Sequence, residues 1–209
     1  MNVIVVGGVA GGMSAATRLR RLDEAANIIV LERSGYVSFA NCGLPYHIGE
    51  VIRERDKLLV TTPQRLRERF RIDVRTRSEV EALPDDALVL SPGARPVTPP
   101  IPGIERALTL RDIEDTDRMI ERVHGASSAV VIGGGFIGLE VAENLIAMGI
   151  ETSVVEATAQ VMAPLDPEMV APVHRHLRAH GVRLELGQGV AAVGPDGVTL
   201  EDGREIAGE

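Results

Sequence analysis

Cys42 is the single cysteine among 209 residues, and it lies in the run Ser38-Phe-Ala-Asn-Cys-Gly-Leu-Pro45. A lone thiol cannot close an intramolecular disulfide, so any redox work it does must cycle through a mixed disulfide, a persulfide or a sulfenic acid. A free cysteine is also commonly a small buried hydrophobe, and the residue by itself leaves both readings open. The patterns on either side decide how much weight it carries.

Those patterns are glycine turns with an acid at a set distance. Gly7-Gly-Val-Ala-Gly-Gly12 follows the Val/Ile run Asn2 to Val6, and small and apolar residues at helical spacing continue from Met13 to Leu22. Strand, glycine turn and helix are thus expected in that order. A second apolar run, Asn27 to Leu31, ends at Glu32, 20 residues beyond Gly12, where a dinucleotide fold places the acid that accepts from a ribose hydroxyl. Gly7 and Gly12 fit the first and third fingerprint positions, and Val9 occupies the second. The second copy is complete: Ala129 to Ile132 leads into Gly133-Gly-Gly-Phe-Ile-Gly138, with Gly133, Gly135 and Gly138 at the three positions. A helix is expected over Leu139 to Met148, ended by Gly149, and a strand over Glu151 to Val155 runs into Glu156, 18 residues past Gly138. An acid there repels a 2′-phosphate and favours NADH over NADPH. In each copy the glycines admit the pyrophosphate and the helix N-terminus supplies N–H donors. The duplication predicts an α/β fold with two Rossmann-like dinucleotide-binding units.

Composition excludes several classes. Lys and Arg total 22 against 30 Asp and Glu, a net charge of −8, which disfavours a general nucleic-acid binder and leaves no polybasic membrane patch. No apolar run approaches the roughly 20 residues of a membrane span, and the N-terminus enters a strand pattern without a signal peptide's charged and apolar regions. A cytoplasmic location is expected, and one cysteine fits a reducing compartment.

Between the copies, Thr62-Pro63 is a helix start, with Thr62 as cap. Short strands are expected over Ile72 to Thr76, Glu79 to Leu83 and Ala87 to Leu90, with a turn at Pro84-Asp85-Asp86. The proline-rich passage from Ser91 to Gly103 suits no helix or central strand and is read as a crossover between domains, which places their boundary at 1–108 and 109–209. Asp112 to His124 is a polar amphipathic helix. Asp166-Pro167 is expected to cap another that runs to His180 and stops at Gly181. Arg183 to Glu209 alternates around turns at Pro195-Asp-Gly197 and Glu201-Asp-Gly203, as an antiparallel meander would. His174, His176 and His180 fall on what reads as an exposed helix with no third ligand near, so no metal site is expected.

Two dinucleotide units with a cysteine between them resemble the pyridine nucleotide-disulfide oxidoreductases. The tract Tyr36-Val-Ser-Phe-Ala-Asn-Cys-Gly-Leu-Pro-Tyr46, the turn Gly7 to Gly12, Pro99-Pro-Ile-Pro-Gly103 and Leu165-Asp-Pro-Glu-Met169 are similar to the single-cysteine coenzyme A-disulfide reductase and NADH oxidase branch, in which Val9 is not irregular. The resemblance runs from Met1 to Glu209. It implies FAD on the first unit, contacted by Gly7, Gly12, Glu32, Arg33 and the backbone near Val80 and Ser91. It implies NADH (or NADPH) on the second, contacted by Gly133, Gly135, Gly138, Glu140 and Glu156. Cys42 becomes the redox nucleophile, with Ser38 and Asn41 beside the thiol substrate and Ser14, Arg18 and Arg21 toward the phosphates of coenzyme A. Arg18 and Arg21 share a helix face, as phosphate ligands or as a solvated edge.

The implied reaction is reduction of coenzyme A disulfide or a related persulfide. The resemblance leaves two alternatives: an NADH oxidase cycling Cys42 through sulfenic acid, or an inactive truncated nucleotide-binding fragment. Ala10 stands where peroxidase relatives carry a histidine, which disfavours a peroxidase. Members of the family run to roughly twice this length, within ordinary domain sizes, and are expected to be homodimers. By the same resemblance, the part that completes the flavin domain and the strand that would close the second sheet are expected to lie outside these 209 residues.

Overall fold

The computed structural model describes residues 1–82 and 87–209, so the expected turn at residues 84–86 lies outside the described residues. In chain order the first elements are β1 (Asn2–Val6), α1 (Ala10–Leu22), β2 (Asn27–Leu31), α2 (Leu44–Ile48), α3 (Pro63–Phe70), β3 (Ile72–Arg75) and β4 (Ala87–Leu90). There follow α4 (Ile113–Val123), β5 (Ser128–Ile132), α5 (Phe136–Ala147), β6 (Glu151–Glu156), α6 (Pro167–Ala179), β7 (Arg183–Leu186), β8 (Val190–Val193), β9 (Gly197–Leu200) and β10 (Glu205–Ala207). The chain divides into two compact units. The first is Met1–Asn41 with Glu54–Arg95, and the second is Cys42–Arg53 with Pro96–Glu209.

The first unit is built on a parallel sheet of order β3-β2-β1-β4. Val3 and Val5 of β1 and Ile28 and Val30 of β2 are buried, and they pack with Met13 and Ala16 of α1 and Leu66 of α3. Alternate residues of a strand point to one face, so this spacing places the apolar set under the helices. Thr62 caps α3, its hydroxyl accepting from the Arg65 amide at 3.3 Å, which contributes about 1 kcal/mol. Arg20 on α1 is buried and donates to the carbonyls of Phe70, Arg71 and Glu24 at 2.7–2.8 Å. One guanidinium thereby ties the C-terminal ends of α1 and α3 together.

The second unit has a parallel sheet of order β5-β6-β7 and an antiparallel meander of order β10-β9-β8. The buried Val154, Val161, Val170 and Leu177 form the core between the parallel sheet, α5 and α6, while Val155 packs with Val198, Leu200 and Ile206 of the meander. Asp112 caps α4 through the Asp115 amide at 2.8 Å. Helix α2 packs on α4 and α5, so closely that a Cβ on Gly49 would fall 2.0 Å from Asn144 Oδ1.

The structure departs from the sequence pattern at one helix start and in two segments. Asp166 precedes α6, but its side chain makes no capping hydrogen bond, and Pro167 at the first helical position sets the start instead. Residues 183–186 do not belong to the meander: β7 pairs in parallel with β6, Ser153↔Arg183 through Glu156↔Leu186. Glu79, Val80, Glu81 and Ala82 form no strand. No helix among the described residues is long and apolar enough to cross a membrane.

Candidate active site

In both units the first and third glycines of the turn touch. A Cβ on Gly12 would fall 1.8 Å from the Gly7 carbonyl oxygen, and one on Gly138 would fall 2.2 Å from that of Gly133. The close approach brings each helix N-terminus down onto its strand end. Neither α1 nor α5 has a side-chain cap or an acid in its first turn, in contrast to the capped α3 and α4. Uncapped N–H groups of a helix of this length suit a phosphate.

The acids close the turns in the same way. Glu32 accepts from the Gly8 amide at 2.6 Å and the Ser34 amide at 2.8 Å. Glu156 accepts from the Gly134 amide at 2.7 Å and the Thr158 amide at 2.8 Å, with the Thr158 hydroxyl also at 2.8 Å. Burial alone would raise the Glu156 pKa, but donation from Thr158 and Gly134 prevails and holds it below the ordinary carboxylate value.

The loops that follow repeat as well. Five residues past each acid a buried valine, Val37 or Val161, packs on the middle glycine, its Cγ1 lying 2.7 or 2.8 Å from a Cβ built there. One residue further, Ser38 and Met162 both have φ of 50° and donate their amides to the carbonyls of Gly8 and Gly134 at 2.9 and 2.8 Å. The sequence reading found the glycines and acids but missed this half of the clamp, although Val-x at a fixed distance past each acid was visible.

The remaining first-unit residues have distinct settings. Ser91 donates its amide to Val6 at 2.8 Å, and its carbonyl oxygen lies 1.9 Å from where a Gly7 Cβ would be. Arg33 is exposed and pairs with Glu79 at 3.8 Å; Val80 is half-buried nearby in sequence. In the second unit Gly133 and Gly135 face open space, and Glu140 is half-buried on α5.

A groove of about 580 Å³ runs between α1 and α3 in the first unit. Ser14 and Ser38 both line it, over a floor that includes Met13, Phe39 and Leu66. Arg18, Arg21 and Asn41 do not line it; all three are exposed, the two arginines toward the end of α1. The cationic wall comes instead from α3, whose Arg65 and Arg69 flank the groove and whose Glu68 lies between them. Cys42 is exposed in the 3₁₀ turn Asn41–Gly43 that leads into α2, so it is not a buried apolar filler. Past it, the His47 Nδ1–H donates to the Ile52 carbonyl at 2.5 Å and closes the return after α2.

The histidines of α6 are not all exposed. His174 is half-buried, and its Nε2 accepts from the Val161 amide at 3.2 Å; His176 and His180 are exposed with their rings 4.2 Å apart. Among the described residues no group of three or more His, Cys, Asp or Glu side chains is placed to hold a metal ion.

Comparison with known proteins finds relatives along the whole chain. The profile of the pyridine nucleotide-disulphide oxidoreductases matches residues 1–209. A coenzyme A disulfide reductase of Staphylococcus aureus (strain JH9) is 33% identical over 97% of this chain and 51% of its own length. The crystal structure of reduced Bacillus anthracis CoADR-RHD superposes with a TM-score of 0.96 at 47% identity, over 100% of this chain and 42% of that one. An NAD-dependent persulfide reductase from A. fulgidus gives 0.94 at 37% identity, over 100% and 44%. The chain spans about half the length of the curated relatives it matches.

Proposed function

The chain belongs to the pyridine nucleotide-disulphide oxidoreductases, and from that premise we propose that it carries the nucleotide-binding and thiol parts of an FAD-dependent, NADH-using reductase of coenzyme A disulfide or a related persulfide. The observation that carries this reading is the duplicated clamp, two uncapped helix N-termini each facing a glycine turn and a ribose-type acid. Residues 1–108 are assigned to FAD and 109–209 to NADH. Gly7, Gly12, Glu32, Arg33 and the backbone near Val80 and Ser91 would hold the flavin nucleotide. Gly133, Gly135, Gly138, Glu140 and Glu156 would hold the nicotinamide nucleotide. Flavin held there supplies two-electron transfer between a nicotinamide and a disulfide.

What the chain's own groups contribute follows from their chemistry. The Cys42 thiolate attacks one sulfur of the disulfide; a new S–S bond forms, the old one breaks, and the expelled thiolate takes a proton to leave as the free thiol. Exposure of Cys42 gives the substrate sulfur access. The groove offers serine hydroxyls, an apolar floor and the guanidinia of Arg65 and Arg69, a lining that suits an extended ligand with a phosphate end. Glu156 presents a negative charge where NADPH would carry its 2′-phosphate, which favours NADH. The relatives named as reductases of coenzyme A disulfide and of persulfides support the substrate class.

Cys42→Ser is expected to abolish thiol release from coenzyme A disulfide while the NADH dissociation constant stays within twofold of wild type. Unchanged thiol release would remove Cys42 as the nucleophile. Oxygen consumption without thiol release would assign the chain to the oxidase reading instead.

A further inference from the structure

The second nucleotide turn has a support that lies outside the residues assigned above. Val161 is fully buried, and its amide makes its hydrogen bond to a side chain, the Nε2 of His174 on α6 at 3.2 Å. An imidazole nitrogen that accepts carries no proton, so the neutral ring holds its proton on Nδ1. Val161 packs on Gly134, and the next amide, of Met162 at a left-handed φ of 50°, donates to the Gly134 carbonyl. The amide of that same Gly134 is held by Glu156. The Gly134 peptide is therefore fixed from both sides, and one of the two fixings depends on a strained loop that His174 pins.

We infer that His174 is a positioning residue for the second nucleotide turn, seating the 157–163 loop over Gly134 by accepting the Val161 amide. The inference rests on the reading of that turn as the nicotinamide-nucleotide site. Without the imidazole the buried Val161 amide has lost its acceptor, and an unpaired buried N–H destabilises the loop conformation that leaves it so. The ring's surroundings make the bond proton-sensitive. Burial and the Arg178 guanidinium one turn along α6 both lower the His174 pKa. Residues 157–163 carry no ionisable side chain, and the neighbouring elements turn Leu139, Ala142, Ile146, Leu184 and Leu186 into the same core. With the folded value depressed, the contribution of this bond is complete above the ordinary histidine value of 6.5 and is lost as pH falls through the lower folded value.

The test compares wild type, His174→Gln, whose amide oxygen can still accept, and His174→Leu, which fills the space without an acceptor. Two quantities are read on the 209-residue chain: hydrogen exchange at the Val161 amide and the NADH dissociation constant, each at pH 8 and at pH 5. At pH 8 the leucine variant is expected to exchange Val161 about tenfold faster and to bind NADH about three- to tenfold more weakly, with glutamine near wild type. With exchange expressed as protection relative to the intrinsic rate at each pH, lowering the pH is expected to move wild type toward the leucine variant and to leave the protection of the glutamine variant unchanged. Equal Val161 exchange in wild type and leucine variant would overturn the inference, as would equal NADH affinity between them. If wild type binds no NADH, the nicotinamide reading falls, and the Val161 exchange then decides by itself whether His174 holds the loop.

Discussion

The two glycine turns share a clamp and differ in what lies behind it. In each, an acid holds the middle glycine's amide, a valine five residues on packs against that glycine, and the next residue, at φ 50°, donates to its carbonyl. Behind the first turn stands β4, which brings the Ser91 carbonyl to 1.9 Å from where a Gly7 Cβ would fall. Behind the second, among the described residues, nothing lies within 4 Å of the corresponding position on Gly133. The clamp is thus a property of the strand, turn, helix and strand in sequence, whereas backing of the turn is supplied from elsewhere in a unit. Identical local conformations need not be equally constrained.

The largest expected effect exploits that difference. Gly7 and Gly133 have φ of 99° and 104°, so alanine at either is strained by about 1–3 kcal/mol. Gly7→Ala also drives a methyl into the Ser91 backbone, and its total cost is expected to be about 4 kcal/mol or more. Thermal or urea unfolding of the two variants should separate them clearly; equal losses would mean that the first turn is no better backed than the second.

A smaller effect probes what the turns share. Glu32→Ala and Glu156→Ala each leave two amides without their carboxylate, and each should lose about 1–3 kcal/mol locally, read as faster amide exchange at Gly8 and Ser34 or at Gly134 and Thr158. A loss confined to one unit would break the equivalence. The smallest effect comes from pH. Because donation from Thr158 and Gly134 holds the Glu156 pKa below its ordinary value of 4.5, the carboxylate's contribution is present above 4.5 and is lost as pH falls through the lower folded value. Protection of the Gly134 amide, its exchange rate relative to the intrinsic rate at each pH, should hold at pH 5 and fall only below 4.5; loss of protection already at pH 6 would contradict the direction assigned.

Which of these features the sequence carried depends on how local they are. The glycine turns, the acids that end the following strands at a recurring spacing and the Thr62 cap belong to short repeating patterns, and they were legible. The Arg20 tie between α1 and α3 and the His174 contact join residues 13 to 51 positions apart, and the groove arginines on α3 face α1 across the fold; unlike the acids, none of these stands at a spacing that recurs from one unit to the next. Arg183-Leu-Glu-Leu186 alternates as a meander strand would, but an edge strand covered on one face gives the same alternation. Here Leu184 and Leu186 pack with α6 while Glu185 pairs with Arg183 and Arg204 at 2.8 Å. Glu79-Val-Glu-Ala82 alternates too, yet its acid serves Arg33 and the segment pairs with no strand.

The assignment of one cofactor to each clamp is tested most directly by the flavin absorbance of the chain after equilibration with FAD and gel filtration, followed during anaerobic NADH titration. The account predicts a flavin band that NADH bleaches in wild type and no retained band in Glu32→Ala. In Glu156→Ala it predicts a retained band whose bleaching needs about tenfold more NADH. Flavin retained equally by Glu32→Ala, or bleaching of Glu156→Ala at the wild-type NADH concentration, would contradict it.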